Sequence, residues 1–436
     1  MLTKIKNFLK FRSEEYLKEL FKSSVHLVKW TLLAALVGVI VGMISTAFAW
    51  SILYVTDFRT AHPWLLYLLP LAGCLIVFLY KLCGVEHSRG TNLVLTTIQS
   101  KTELPKRMAP LIFISSVISH LFGASVGREG AALQLGGSVG AAISPGIQKV
   151  MESFRLSFTD SDRHLMIMAG MSAAFAAIFG TPIAAAVFPM EVISIGLMHF
   201  SALLPCVIAS LVASSFASTM GIDAEAFGIV RLPDFTLASG AKIFLLAILT
   251  ALMSELFCLM LTAAHKGFAN LFTSQYLAIV VGGCLVIGLT LLIGSYDYLG
   301  AGVPMIISAM KGETPWYAFA LKMLFTAIYI GAGYKGGEIV PSIFIGATFG
   351  CFFSGFVGLP SSLCAACGIA AMFVGVTNCP ISTILISTEL FGFAGIPYYL
   401  VSVAVSYVMS GYYGLYHEQR IVYSKKRTVF INQKVL

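Results

Sequence analysis

Three long stretches of this chain contain no charged residue: Trp30 to Thr56, Leu165 to Met190, and Val192 to Ile222. Each reaches the roughly 20 residues that a helix needs to cross the hydrocarbon core of a bilayer, so they are expected to be membrane-inserted. Further apolar runs fall at about 64–80, 109–126, 131–148, 243–264, 277–295, 316–334, 339–357, 361–376, 380–391 and 394–411. Several are too short to cross alone, which points to broken or re-entrant helices, because irregular backbone at membrane depth survives only inside protein or beside a polar cavity. Of the 436 residues, 58% are hydrophobic and 11% charged, against roughly 25% charged in an ordinary soluble domain. The fold class expected is therefore an all-α polytopic membrane protein.

The formal charge of +8 is concentrated at the ends: Lys4, Lys6, Lys10, Arg12, Lys18, Lys22 and Lys29, then Arg420, Lys425, Lys426, Arg427 and Lys434. By the positive-inside rule both termini are expected in the cytoplasm. Residues 1–26 mix Phe8, Leu9, Phe11, Tyr16, Leu17, Leu20 and Phe21 with these charges, the composition of an amphipathic helix on the inner membrane surface. They lack the apolar core and small-residue cleavage site of a signal peptide. The cations flank apolar spans and form no face for nucleic acid, which excludes that partner class. The nine cysteines lie in or beside apolar runs, as buried thiols do. Cys364 and Cys367 have CxxC spacing without a second pair or a histidine nearby, so no metal and no cofactor is expected.

A repeat organises the chain. Residues 169–183, AGMSAAFAAIFGTPI, align without gaps on 367–381, CGIAAMFVGVTNCPI, pairing Gly170 with Gly368, Ala173 with Ala371, Phe175 with Phe373, Pro182 with Pro380 and Ile183 with Ile381, at a constant offset of 198. The offset extends to Glu191 and Glu389, each nine residues past its proline. Duplicated halves build transport sites between them. The halves are expected at 27–222 and 242–416, joined by a polar loop at 223–241 and followed by a basic tail at 417–436.

Two segments carry the chemistry. In Gly123-Ala-Ser-Val-Gly-Arg-Glu-Gly130 a glycine-flanked Arg128-Glu129 pair opens an apolar helix. A helix start presents unpaired N–H groups and partial positive charge, which makes it an anion site. Glycines 127 and 130 let the backbone approach an ion, and Glu129 can occupy the site as a tethered anion until it is protonated. The competing reading is a surface salt bridge between Arg128 and Glu129. The second segment, Gly331-Ala-Gly-Tyr-Lys-Gly-Gly-Glu-Ile-Val-Pro341, is another helix start, because proline suits a first turn. Two such termini meeting near the midplane hold an anion by N–H groups and release it readily. Glu338 stands there with two readings open: a proton or ion role, or a local ion pair with Lys335. A third segment, Arg89-Gly-Thr-Asn-Leu-Val94, is by itself an ordinary polar loop.

Together the three segments resemble the CLC family of anion channels and proton-coupled antiporters. Gly127-Arg-Glu-Gly130 matches the family's GREG signature, Gly337-Glu-Ile-Val-Pro341 takes the place of its GxFxP segment, and Gly90-Thr91-Asn92 falls where its GSGIP segment belongs. The resemblance implies a CLC-type inverted repeat with about 18 helical segments, many of them short or broken. It also implies a homodimer with one anion pathway per subunit. The gating and proton-carrying carboxylate maps to Glu129 and the pathway tyrosine to Tyr416. Gly90, Thr91, Asn92, Gly127, Arg128, Gly130, Gly337, Ile339 and Val340 map to the anion path.

The chain departs from chloride-selective members. Thr91, with Asn92 beside it, replaces the central serine, and Ile339 replaces the aromatic residue two before the proline. Gly-Gly-Glu-(aliphatic)-x-Pro resembles the bacterial fluoride-exporting branch, although Val340 stands where that branch carries threonine and Thr91 where it carries methionine. Val192 holds the place of the inner proton glutamate, so that proton route is expected to be missing. Glu191 and Glu389 are repeat-related, which suits helix capping or bridging as well as transport, and Glu255 belongs to no motif. The resemblance implies a fluoride/proton antiporter in the plasma or inner membrane, with a chloride/proton exchanger or passive chloride channel as the alternative. No enzyme is expected: His120, His199 and His265 are scattered and have no GxSxG partner.

Overall fold

The computed structural model describes residues 2–85, 90–100, 104–155, 157–222, 227–229 and 232–435, with side chains from Glu15 onward. Arg89, residues 223–226, 230 and 231 of the expected 223–241 loop, and the side chains of Lys4, Lys6, Lys10, Arg12, Phe8, Leu9 and Phe11 lie outside the described residues.

The described residues form two successive sets of eight helices. The first is α1 (Leu2–Ala61), α2 (Leu69–Leu82), α3 (Thr91–Gln99), α4 (Met108–Leu121), α5 (Glu129–Ser153), α6 (Asp160–Phe179), α7 (Pro182–Val192) and α8 (Leu203–Thr219). The second is α9 (Leu237–Leu271), α10 (Gln275–Ile293), α11 (Val303–Lys311), α12 (Ala318–Gly331), α13 (Ile339–Val357), α14 (Ser361–Thr377), α15 (Pro380–Phe391) and α16 (Ile396–Met409). Equivalent members agree even where they are short: α3 and α11 have 9 residues each, α4 and α12 have 14. The amphipathic N-terminal stretch runs into the first span as one helix, with Tyr16, Leu17, Leu20 and Phe21 exposed along it.

Among the described residues, six stretches are long and apolar enough to cross a membrane, including Glu15–Ala61, Leu237–Leu271 and Ile339–Val357. The apolar run Leu165 to Met190, by contrast, is not a single crossing helix, whereas the run Val192 to Ile222 holds one of the six, Phe200–Thr219. Gly180, at φ +71°, ends α6 in the left-handed conformation, and Pro182 opens α7 two residues later. The second half breaks at the same place, with Asn378 at φ +60° before Pro380. The Val192 run divides between the end of α7, a two-residue strand and α8. Hydrophobicity fixes insertion into the membrane, whereas these cap and proline positions fix helix length.

The centre of the molecule is the buried set α5, α6, α13 and α14. Small residues let these helices meet backbone to backbone: a Cβ on Gly136 would lie 2.2 Å from the carbonyl oxygen of Gly170, and one on Gly346 would lie 2.5 Å from that of Gly368. The halves are joined reciprocally. Glu191 at the end of α7 accepts bonds from the N–H groups of Ile381 (3.0 Å) and Ser382 (2.8 Å) and from the Ser382 hydroxyl (2.6 Å). Glu389 at the end of α15 accepts from the N–H groups of Ile183 and Ala184, both at 2.9 Å. Each carboxylate caps the first turn of the other's helix, the mutual contact expected of parts related by a two-fold operation. Of the two roles open for this pair, these hydrogen bonds are those of a cap.

The described residues also form a small sheet. Strands β1 (Ser194–Ile195), β2 (Arg420–Tyr423) and β3 (Phe430–Lys434) lie in that order, β1 parallel and β3 antiparallel to β2. The basic tail is thus tied to the first half of the chain.

Candidate ion-binding site

The starts of α5 and α13 face each other across a single antiparallel bridge. Gly127 donates its N–H to the Gly337 carbonyl at 2.7 Å, and Gly337 donates to the Gly127 carbonyl at 2.9 Å. The approach is possible only without side chains: a Cβ on Gly337 would stand 2.6 Å from the backbone nitrogen of Gly130, and one on Gly127 would stand 2.7 Å from Cβ of Val340. The bridge directs the positive ends of two helix dipoles at one region.

Arg128 and Glu338 are the N-cap residues of these helices. Arg128 pairs with Glu129 through Nε and Oε1 at 3.3 Å, but the pair is buried, not at the surface: Glu129 is 2% exposed. The Glu129 carboxylate folds back over the loop, so that Oε2 would lie 2.8 Å from a Cβ on Gly127. A carboxylate is thereby packed against a helix start, where an anion is favoured. Ile339 and Val340 are buried in the first turn of α13.

Beside the bridge a cavity of about 830 Å³ is lined by Gly90, Thr91, Asn92, Gly130, Glu338 and Tyr416, among others. Gly90, at φ +58°, turns the chain into α3. Thr91 donates its hydroxyl to the Gly130 carbonyl at 3.2 Å, which ties α3 to the start of α5. Asn92 accepts a bond through Oδ1 from the N–H of Glu418 at 3.2 Å, which ties α3 to the C-terminal tail. Tyr416 is 2% exposed, and its hydroxyl has no partner among the described residues. Among the described residues no ion pair within 4.0 Å joins Glu338 to Lys335, whose ammonium instead lies 4.9 Å from the Tyr80 ring centre. The expected site residues therefore divide in two: Gly127, Arg128, Glu129, Gly337, Ile339 and Val340 form the bridge, and the other six face the cavity.

The Voltage gated chloride channel family matches this chain over residues 72–411. The chain belongs to that family. Its relatives include a "Chloride/fluoride channel protein" of Pseudomonas syringae pv. tomato, 37% identical and aligned over 95% of this chain and 91% of the relative. Among solved structures, the crystal structure of a CLC-type fluoride/proton antiporter superposes with a TM-score of 0.84 at 30% identity, covering 90% of this chain and 98% of that one. A slow cyanobacterial Cl-/H+ antiporter superposes at 0.73 with 19% identity over 87% and 94%, a likeness of fold.

Sequence reasoning passed over several residues of this family member's interior. Gln134 lies one helical turn beyond Gly130 and lines the same cavity. Ser116 joins it there from α4. The signal for both was a polar side chain inside an apolar run. Gln419 is fully buried, donates to the Thr377 carbonyl at 3.0 Å and accepts from Asn378 at 3.2 Å, which fixes the turn after Tyr416. Lys322 is also fully buried, donating to the carbonyls of Tyr298 (3.1 Å) and Gly300 (2.7 Å).

Proposed function

We propose that this protein is a fluoride/proton antiporter that exports fluoride across the plasma or inner membrane, as a homodimer with both termini in the cytoplasm. The observation that carries this reading is the Gly127–Gly337 bridge, which aims two helix starts at one region and sets a carboxylate beside each of them. Deprotonated Glu129 occupies the anion position at the start of α5; protonated, it loses its attraction to the helix terminus and leaves the position to the ion. Anion and proton then use one place at different times. Val192 lies where chloride/proton relatives are expected to carry an inner glutamate, so proton exchange with the cavity falls to Glu338, which lines it.

Fluoride is small and strongly hydrated, and a site for it must return close donors for the water it loses. The absence of side chains at 127, 130 and 337 lets an ion come close to the first turns of α5 and α13. The N–H groups of those turns are the donors, because those of Gly127 and Gly337 are taken by the bridge. The 37% identical chloride/fluoride relative supports the same anion. The homodimer rests on the family resemblance, and the cytoplasmic termini rest on the flanking lysines and arginines. The deciding measurement is initial efflux of fluoride and of chloride from proteoliposomes at equal gradients, with proton uptake followed in parallel. Fluoride efflux coupled to proton uptake is expected. Chloride efflux equal to or faster than fluoride identifies a chloride exchanger, and anion flux without proton movement identifies a passive channel.

A further inference from the structure

Lys322 lies fully buried in the apolar helix α12, and among the described residues no carboxylate stands within 4.0 Å of its ammonium. An unpaired charge inside a membrane protein is costly, which marks it as a candidate for function. The ammonium serves one turn, the one before α11, where it donates to the carbonyls of Tyr298 (3.1 Å) and Gly300 (2.7 Å). The ring of Phe344, in the second turn of α13, has its centre 5.2 Å away. The same turn carries the loop that leads into α5. Ser125, two residues before Gly127 and fully buried, donates its hydroxyl to the Tyr298 carbonyl at 2.9 Å. Its oxygen also lies 3.2 Å from the hydroxyl of Thr326, one helical turn beyond Lys322. Arg59 of α1 reaches both pieces of chain: its Nη2 would lie 3.1 Å from a Cβ on Gly300 and its Nη1 3.5 Å from one on Gly123.

Glu129 follows Ser125 by four residues, so the place of its carboxylate depends on where that loop is held. The Gly127–Gly337 bridge fixes one end of the loop, and the Tyr298 carbonyl fixes the other. Without the ammonium, two buried carbonyls lose a charged donor, and the turn that carries Ser125 is free to shift. A tethered carboxylate that must alternate with an ion tolerates little displacement, because functional groups work only when the residues behind them hold their geometry. We propose that Lys322 is a positioning residue for the Glu129 gate: it pins the turn before α11, and that turn, through Ser125, sets how the loop enters α5. The proposal rests on the reading of Glu129 as the gate; the hydrogen bonds that link Lys322 to Ser125 do not.

The test is the number of protons taken up per fluoride released from proteoliposomes, measured for the wild type, Lys322→Met, Ser125→Ala, the double variant and Glu129→Gln. Lys322→Met is expected to lower this ratio roughly tenfold, the population change that follows loss of one hydrogen bond to a charged group. Ser125→Ala is expected to lower it in the same direction. The double variant should be no worse than the more affected single one, because both residues act through the Tyr298 turn. A lysine that only supports the fold gives a different pattern: Lys322→Met unfolds at a lower temperature in detergent, and the transport that remains keeps the wild-type ratio. That pattern, with Glu129→Gln uncoupled, overturns the proposal, and so do single effects that multiply in the double variant. A wild-type ratio in Glu129→Gln overturns the gating reading itself, and the proposal falls with it. Where Lys322→Met does not fold, Ser125→Ala and Thr326→Val carry the comparison, and a wild-type ratio in both overturns the proposal.

Discussion

Gly127 and Gly337 each donate a hydrogen bond to the other's carbonyl, at 2.7 and 2.9 Å, although 210 residues separate them. The two loops before α5 and α13 are thereby locked together, with both helix starts beside the bridge. No side chain takes part, and the bridge leaves no room for a Cβ at either glycine.

Gly337→Ala is expected to abolish transport and to lower stability by about 1–3 kcal/mol, because the new methyl would lie 2.6 Å from a backbone nitrogen that cannot give way. Gly146→Ala is the control: it lies within α5 with nothing within 4 Å of its added Cβ. That variant should unfold at or slightly above the wild-type temperature, since alanine favours helix. Normal flux in Gly337→Ala would show that the bridge is dispensable.

The reciprocal caps predict an order of stability. Glu191→Ala leaves three donors without their acceptor in a buried place and is expected to cost roughly 2–3 kcal/mol in thermal unfolding in detergent. Glu389→Ala removes two bonds from a less buried place and should cost less. A Glu191→Ala protein that unfolds at the wild-type temperature would remove the capping account.

Glu129→Gln keeps the shape of the side chain and cannot titrate. Proton movement driven by a fluoride gradient should disappear in proteoliposomes, with the protein still folded. Proton pumping at the wild-type rate would sink the gating assignment.

Glu338→Gln tests the cavity carboxylate separately. Coupled exchange is expected to slow while the elution of the folded protein is unchanged. Unaltered exchange across a range of pH would leave Glu338 as the N-cap residue of α13 and nothing more.

Membrane insertion, the two-fold repeat and the two glycine-flanked helix starts were all legible in the chain. They depend on local properties: hydropathy over a window, identity at a fixed offset, and glycine or proline at helix ends. Leu165 to Met190 reads as one span on hydropathy alone, although Gly180 and Pro182 within it mark the break between α6 and α7. The role of Glu191 and Glu389 was open in the sequence because a carboxylate at a helix end has no fixed partner until the other half is folded against it.

Residue type and spacing along a few turns were enough to show that this chain lives in a bilayer, that it is built twice, and that Arg128-Glu129 and Glu338 stand at helix starts. The folded arrangement was needed to show that the two starts meet through Gly127 and Gly337, that Glu129 packs on the bridge while Glu338 faces a cavity, and that the basic tail forms strands against Ser194 and Ile195. The physical reason is that these are contacts between residues some 200 apart, and hydrogen bonds and packing across such separations depend on how whole helices close on one another.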